Sequence, residues 1–121
     1  GASLSSGQAN FNGNSPYGGA AGGPFLERTT EVGSYKPNAF GLFDMHGNVW
    51  EWCADWYGPY DEEKKQDPQG PDKGISRVLR GGSWSYGGGC CRAAFRYCLG
   101  PGDRYYDSGF RVVLVCGART P

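Results

Sequence analysis

The chain has no apolar run approaching the eighteen or so residues of a spanning helix, so hydropathy gives no membrane span within it. No charged-then-apolar leader pattern is present either. Lysine plus arginine equal aspartate plus glutamate at 12 each, so no charge surplus draws the chain to nucleic acid or to an anionic surface. Histidine occurs once, at His46, and no Cys-x-x-Cys is found, which removes the usual zinc patterns. The five cysteines, Cys53, Cys90, Cys91, Cys98 and Cys116, are odd in number and include an adjacent pair. That departs from a secreted disulfide framework, and the expectation is free thiols in a reducing, cytoplasmic setting. Surface display would need a leader upstream.

The most informative absence is local. Between Ser85 and Ser108 there is no Lys, Glu, Gln, Met or Trp, although those five types fill 17 of the other 97 positions. On that composition about four would be expected in the insert. What fills it instead is Tyr, Gly, Ser, Cys, Arg and Asp, with Tyr86, Tyr97, Tyr105 and Tyr106 making half of all the tyrosines. Rigid amphipathic rings among small, adaptable residues resemble a paratope, which points to recognition before chemistry.

With 121 residues, 22 of them glycine and 8 proline, the chain is sized for one domain of short strands and many turns. Helix content should be low. Residues 1–36 read as irregular, polar and Gly-rich, with a short strand around Thr29–Val32. Their first 24 residues carry little apolar surface. Residues 37–84 hold the densest motifs: a turn at Pro37–Gly41, a β-forming run Val49–Tyr57, a charged loop with one helical turn near Glu62–Gln66, and a strand at Arg77–Leu79. Trp50 and Trp52 alternate with Glu51 and Cys53, so one face of that run carries two indoles. Residues 85–108 form the insert, and 109–121 a final strand, Phe110–Val115, and a tail.

Asp44-Met45-His46-Gly47-Asn48-Val49-Trp50-Glu51 places two carboxylates around a Gly-Asn turn. Hard cations such as Ca²⁺ take several oxygens at once, and a turn can aim carbonyls inward beside carboxylates. Asp44 and Glu51 would supply charge, with the carbonyls of Met45, Gly47 and Val49 completing the shell. The alternative is that Asp44 caps a turn and Glu51 pairs with an arginine such as Arg92 or Arg96. His46 has no nucleophile beside it in sequence.

Several segments together resemble the formylglycine-generating, or sulfatase-modifying factor, family. They are Glu27–Ser34, Asn38–Cys53 (Asn-Ala-Phe-Gly-Leu-Phe-Asp-Met-His-Gly-Asn-Val-Trp-Glu-Trp-Cys), Arg77–Trp84 (Arg-Val-Leu-Arg-Gly-Gly-Ser-Trp), Cys91–Ala94 and Gly109–Val112. The resemblance implies an α+β, C-type-lectin-type fold with little regular structure around a small twisted antiparallel sheet. It implies that the chain corresponds to the C-terminal part of such a domain, with the N-terminal half, on the same precursor or another polypeptide, as a partner needed for stability. It also implies Ca²⁺ at Asp44, Met45, Gly47, Val49 and Glu51. A second calcium site is not implied, because its aspartate position falls on Pro24, although Asn10 matches.

Enzymes of this family resemble one another in a Gly-Gly-Ser-aromatic-x-Cys-x-x-x-x-Cys pattern whose thiolates hold copper(I), a soft ion suited to sulfur. Counted from Gly81, the first cysteine position is Tyr86 and the second is Cys91. With one ligand missing, copper and catalysis are not expected; Cys91 alone would remain for an oxidase.

A second branch is similar across the insert. Variable proteins of diversity-generating retroelements share a Gly-Gly-Ser-Trp … Cys-Arg-Ser-Ala … Gly-Phe-Arg frame, with positions diversified through AAY codons that cannot become Lys, Glu, Gln, Met or Trp. That resemblance makes Trp84, Cys91, Arg92, Ala94, Arg96, Pro101, Arg104 and Gly109 the fixed frame. The ligand-binding set is then Ser85, Tyr86, Gly87, Cys90, Phe95, Tyr97, Cys98, Asp103, Tyr105, Tyr106 and Asp107. The expected function is a non-catalytic receptor-type domain for a protein or other macromolecular ligand, with Arg92, Arg96 and Arg104 in scaffold ion pairs. The alternatives are a copper-dependent formylglycine-generating oxidase acting on a substrate cysteine and a non-catalytic accessory module.

Overall fold

The computed structural model describes residues 1–60, 66 and 68–114. Its centre is a four-stranded sheet: β1 (Trp50–Trp56), β2 (Arg77–Arg80), β3 (Tyr97–Leu99) and β4 (Ser108–Gly109), in the order β3-β2-β1-β4. The β1 and β2 runs lie where the β-branched and aromatic residues place them. β1 pairs β2 antiparallel, with Glu51 opposite Arg80 and Trp52 opposite Leu79, and the register slips before Trp56 meets Arg77. β3 pairs β2 antiparallel, setting Tyr97 against Leu79 and Cys98 against Val78.

The sheet is not antiparallel throughout. β4 runs parallel to β1, with Trp50 opposite Ser108 and Glu51 opposite Gly109. A parallel neighbour needs a long crossover, and the stretch from Tyr57 to Asp107 provides it. Three local expectations also change. Thr29–Val32 forms no strand: the Thr30 amide donates to the Asn48 side chain at 2.9 Å, and Val32 stays exposed. The final strand is only Ser108–Gly109, and residues 110–114 take no sheet partner among the described residues, while Val115 lies outside them. The helical turn near Glu62–Gln66 also falls outside, save for Gln66, which sits in a bend. The turn at Pro37–Gly41 is borne out: the Gly41 amide donates to the Asn38 carbonyl, and the Asn38 side chain accepts from Phe40 and Leu42.

The N-terminal segment carries more core than its composition suggests. Leu4 and Tyr17 exchange backbone hydrogen bonds at 3.0 and 3.1 Å, closing a loop that buries Ala9 and Phe11 against Cys91. The Asn12 amide donates to Tyr86 and the Gly88 amide to Ser15, so this segment is stitched to the short 3-10 turn Gly88–Cys91. Gly82 has φ +78°, and a Cβ there would lie 2.6 Å from the Cys91 sulfur. Glycine is therefore what lets the Gly-Gly-Ser-Trp segment close over that cluster.

Apolar surface is left over elsewhere. Phe110, Val112, Val113 and Leu114 are 77–88% exposed, and Val32 and Phe40 fall in the same range. An apolar run of this kind, interrupted only by Arg111 and with its backbone outside the sheet, promotes association. The isolated chain should therefore bind an apolar dye and self-associate, and the double change Val112→Lys with Leu114→Lys should suppress both. Dye fluorescence and light scattering report the result, and a parent chain that stays monomeric and dye-free would show this run to be covered.

Candidate functional site

Strand alternation divides the functional residues between two sides of β1. Glu51 points to one cavity and Trp50 to another.

On the first side, Asp44, Gly47, Val49 and Glu51 line an open cavity of about 360 Å³ together with Arg111. Met45 does not; it lines the adjacent hollow beside His46. The loop is held by unusual backbone. Asp44 (φ 54°), Gly47 (φ 76°) and Asn48 (φ 67°) are all left-handed, and a Cβ on Gly47 would meet the Asn10 carbonyl at 2.3 Å. The Asp44 carboxylate accepts the Gly33 amide at 2.7 Å. Glu51 is gripped by Arg111, with Nη2 to Oε1 at 2.6 Å and Nε to Oε2 at 3.0 Å. The same guanidinium donates to the Phe43 carbonyl at 2.9 Å. Glu51 in turn raises the Arg111 pKa above its ordinary value.

The arginine partner is thus Arg111, and neither Arg92 nor Arg96 fills that role. Arg92 donates to the Gly89 carbonyl, and Arg96 donates to Gly58 while lying 3.9 Å over the Tyr60 ring. Among the described residues Arg111–Glu51 is the one ion pair, so Arg92, Arg96 and Arg104 are not ion-paired there. The donors facing the cavity are hard oxygens, which suit a hard cation in kind. Two carboxylates less one guanidinium leave one net negative charge. No group of three His, Cys, Asp or Glu side chains capable of holding a metal occurs among the described residues.

On the second side, Tyr86, Tyr97, Tyr105 and Tyr106 gather with Asp107 around a hollow of about 170 Å³. Trp50, 1% exposed, is its floor. Tyr97 stacks on Trp50 at 5.3 Å, Tyr86 meets it edge-on at 5.3 Å, and Phe95 packs at 5.9 Å. Tyr106 leans against Trp84 at 5.6 Å. Exposure rises from this floor to the rim: Tyr86 37%, Tyr105 54% and Tyr106 77%.

The remaining insert positions divide differently. Asp107 is buried, and one of its oxygens accepts from Ser83 at 2.8 Å and from Ser85 at 2.7 Å. Its backbone carbonyl takes the Trp50 amide at 2.8 Å, tying the hollow to the sheet. Asp103 accepts the Gly100 amide and closes a turn. Gly87 bridges to Asn12, and Cys90 sits in the 3-10 turn. Cys98 lies between Tyr97 and Leu99 on β3 and so faces away from the rings. Residues that composition missed are Trp50 and Leu99, which line the hollow, Ser83, which anchors Asp107, and Arg111.

The cysteine position does not look reactive. Cys91 is 1% exposed, and burial, aided by neighbouring Cys90, pushes its thiol up to about 12. A thiolate is the species that binds soft metals and attacks, so this sulfur is a core group at neutral pH. His46 Nδ1 donates to the Cys91 carbonyl at 2.7 Å. Cys53, Cys90, Cys91 and Cys98 are all free, as expected for the described four.

Comparison with known proteins places these features. A profile of the sulfatase-modifying factor enzyme 1-like domain matches residues 5–115. The chain is 48% identical over 92 residues to a protein named serine/threonine-protein kinase pkn1 of Chlamydia pneumoniae, covering 72% of this chain and 15% of that one. It is 46% identical over 88 residues to the formylglycine-generating enzyme of Streptomyces coelicolor, covering 69% and 28%. Among solved structures, Treponema denticola variable protein 1 superposes with a TM-score of 0.66 at 44% identity, covering 70% of this chain and 31% of that one. The chain therefore spans less than a third of the length of each of these three relatives.

The raised thiol has a pH consequence. Its folded value lies above the unfolded one of 9.0, so its contribution to stability is complete below pH 9 and is lost as pH rises toward about 12. Tyr86, raised from 10.0 to about 12 mainly by burial, acts in the same direction. The melting temperature should therefore fall above pH 9, and Cys91→Ala should flatten that fall. A thiol reagent at pH 8 should leave Cys91 unmodified until the protein is denatured; rapid native labelling would show an accessible thiolate.

Proposed function

Because this chain belongs to the sulfatase-modifying factor enzyme 1-like family, whose relatives include proteins named as enzymes and one named as a variable protein, we propose that it is a non-catalytic, ligand-binding member. One observation carries the reading: Tyr86, Tyr97, Tyr105 and Tyr106 converge on one hollow whose rim is exposed. The rings sit at the centre of the patch, where anchors dominate affinity. The same geometry weighs against the oxidase, since Tyr86 stands at the first cysteine position and Cys91 is buried with Ala9 and Phe11. Likeness to a variable protein further supports a diversified receptor of the retroelement type.

The exposed run Phe110–Leu114 fits the partner expected from sequence. In our reading, the remainder of a domain of the relatives' size covers it.

For the loop beside Arg111, the reading is a structural Ca²⁺ held by Asp44, Glu51 and the carbonyls of Met45, Gly47 and Val49. The ion would supply positive charge where the carboxylates outnumber the guanidinium. If it does, calcium at about a hundredfold over its Kd should stabilise the metal-stripped protein by about 2.7 kcal/mol, seen as a higher melting temperature. The double change Asp44→Asn with Glu51→Gln should abolish the response. Identical melts of the stripped parent with and without calcium would leave Arg111 as the sole counter-charge.

Ligand binding has its own test. Tyr105 and Tyr106 are rim residues, so Tyr105→Ala with Tyr106→Ala should leave the far-UV spectrum and melting temperature nearly unchanged. Tyr97 is a poorer choice because it stacks on Trp50 within β3. Peptides selected on the parent from a random library should lose at least tenfold in affinity for this variant, measured by calorimetry. Equal binding to both would move the ligand site elsewhere. Aldehyde formation on a Cys-x-Pro-x-Arg peptide, with copper(I) and oxygen, would return the oxidase.

A further inference from the structure

We propose that the hollow over Trp50 takes a cationic head group, the ammonium or guanidinium of a lysine or arginine side chain carried on a peptide. This rests on the ligand-binding reading and adds the chemical class of the ligand. Three observations lead to it.

The first is the sign of the wall. Trp50, Tyr86, Tyr97, Tyr105 and Tyr106 contribute rings, whose faces are electronegative, and the one ionisable carboxylate among the lining residues is Asp107. Among the described residues no lysine, arginine or histidine lines it. Elsewhere three of the described arginines sit over aromatic rings: Arg77 over Trp56 at 3.5 Å, Arg96 over Tyr57 and Tyr60, and Arg92 over Tyr17. The ring group around Trp50 has no such cation among the described residues. Aromatic faces with a nearby carboxylate and no internal counter-charge complement a cation supplied from outside.

The second concerns Asp107 itself. Ser83 and Ser85 both donate to the same oxygen, Oδ2, and among the described residues no donor reaches Oδ1. A buried carboxylate held by two hydroxyls and left with a free oxygen is pre-organised to accept a charge-assisted hydrogen bond. Burial, and then the nearness of Tyr97 and Asp107, pushes the Tyr86 phenol up to about 12, so that ring stays neutral at physiological pH.

The third observation favours a peptide over a bare amine. Two residues of the same wall carry enclosed polar atoms without partners, Trp50 Nε1 and Ser108 Oγ. An indole N–H can only donate, so it calls for an acceptor. An ammonium or guanidinium has none, whereas a peptide supplies carbonyls beside its cationic side chain. The hollow, at about 170 Å³, has room for a side-chain head and little more.

The test uses peptides selected from a random library on the full chain and counter-selected on the Tyr105→Ala, Tyr106→Ala variant. Each recovered peptide is resynthesised with lysine replaced by norleucine or arginine by citrulline. The expected result is one essential cationic residue per peptide, whose replacement weakens binding about tenfold or more. N-acetyl-lysine methylamide should compete for the site, and N-acetyl-norleucine methylamide should not. Asp107→Asn, checked for folding by near-UV circular dichroism, should weaken the parent peptide by a similar factor and leave the norleucine peptide unaffected. Should that variant misfold, the competition pair decides on the unmodified protein. Peptides that discriminate the rim variant but keep full affinity after charge removal would overturn the cationic class while leaving the ligand-binding reading intact. Failure to recover any discriminating peptide would overturn both.

Discussion

The fold hangs on Asn48, a buried side chain held in left-handed backbone. Its Oδ1 accepts from Asn10 Nδ2 at 3.1 Å and from the Thr30 amide at 2.9 Å. Its own amide donates to the Asn10 carbonyl at 2.7 Å, and its carbonyl accepts from Trp84 at 3.0 Å. Asn10 in turn donates to the Arg28 carbonyl. One residue therefore joins the N-terminal loop, the 28–30 segment and the Gly-Gly-Ser-Trp segment to the start of β1. In a chain with so little regular structure these are the hydrogen bonds that a sheet or helix would otherwise supply. Removing either asparagine would strand several buried groups at about 1–3 kcal/mol each. Gly47 is coupled to the same point, since any side chain there would strike Asn10.

Two residues past Asn48, β1 has begun, and its alternation sets what each side of the domain can do. Trp50 goes to the ring side and Glu51 to the loop side. The parallel strand β4 then serves both. Asp107, just before it, binds the Trp50 amide and aims its carboxylate at Ser83 and Ser85. Arg111, just after it, reaches Glu51. Asp107 and Arg111, four positions apart, thus bracket β4, one serving the ring hollow and the other the 44–51 loop.

Much of this was legible in the chain, for identifiable reasons. Val49–Tyr57 and Arg77–Leu79 declare themselves as strands through local composition, and both are strands to within a residue or so. The loop carboxylates and the four insert tyrosines were found because a motif and a skewed composition mark them, and each set does meet at one cavity. Other features depend on contacts distant in sequence. Arg111 lies 60 residues from Glu51, and nothing local favours it over Arg92 or Arg96. The Asn10–Asn48 pair spans 38 residues. Parallel pairing of β4 depends on a crossover whose path no local pattern records. Within the insert, Cys98 is turned away by strand parity, which became readable only once β3 was known to be a strand.

That mixture of exposed and internal roles bears on how a diversified surface can be tolerated. If the insert positions vary freely, the cost of variation is uneven. Tyr105 and Tyr106 are rim side chains whose replacement removes contact area and little else. Gly87 and Gly88 are more constrained: a Cβ on Gly87 would lie 2.9 Å from Ser15, and one on Gly88 about as close to Tyr17 and Phe11. Ser85 and Asp107 share a partly buried hydrogen bond, so changing one alone leaves the other's oxygen without that partner. A change at Asp107 also reaches Ser83, within the Gly-Gly-Ser-Trp segment that closes over Cys91. The scaffold thus separates exposed rim positions from buried positions that hold the hollow open. Trp50, outside the insert and fully buried, keeps the floor the same whatever the rim becomes.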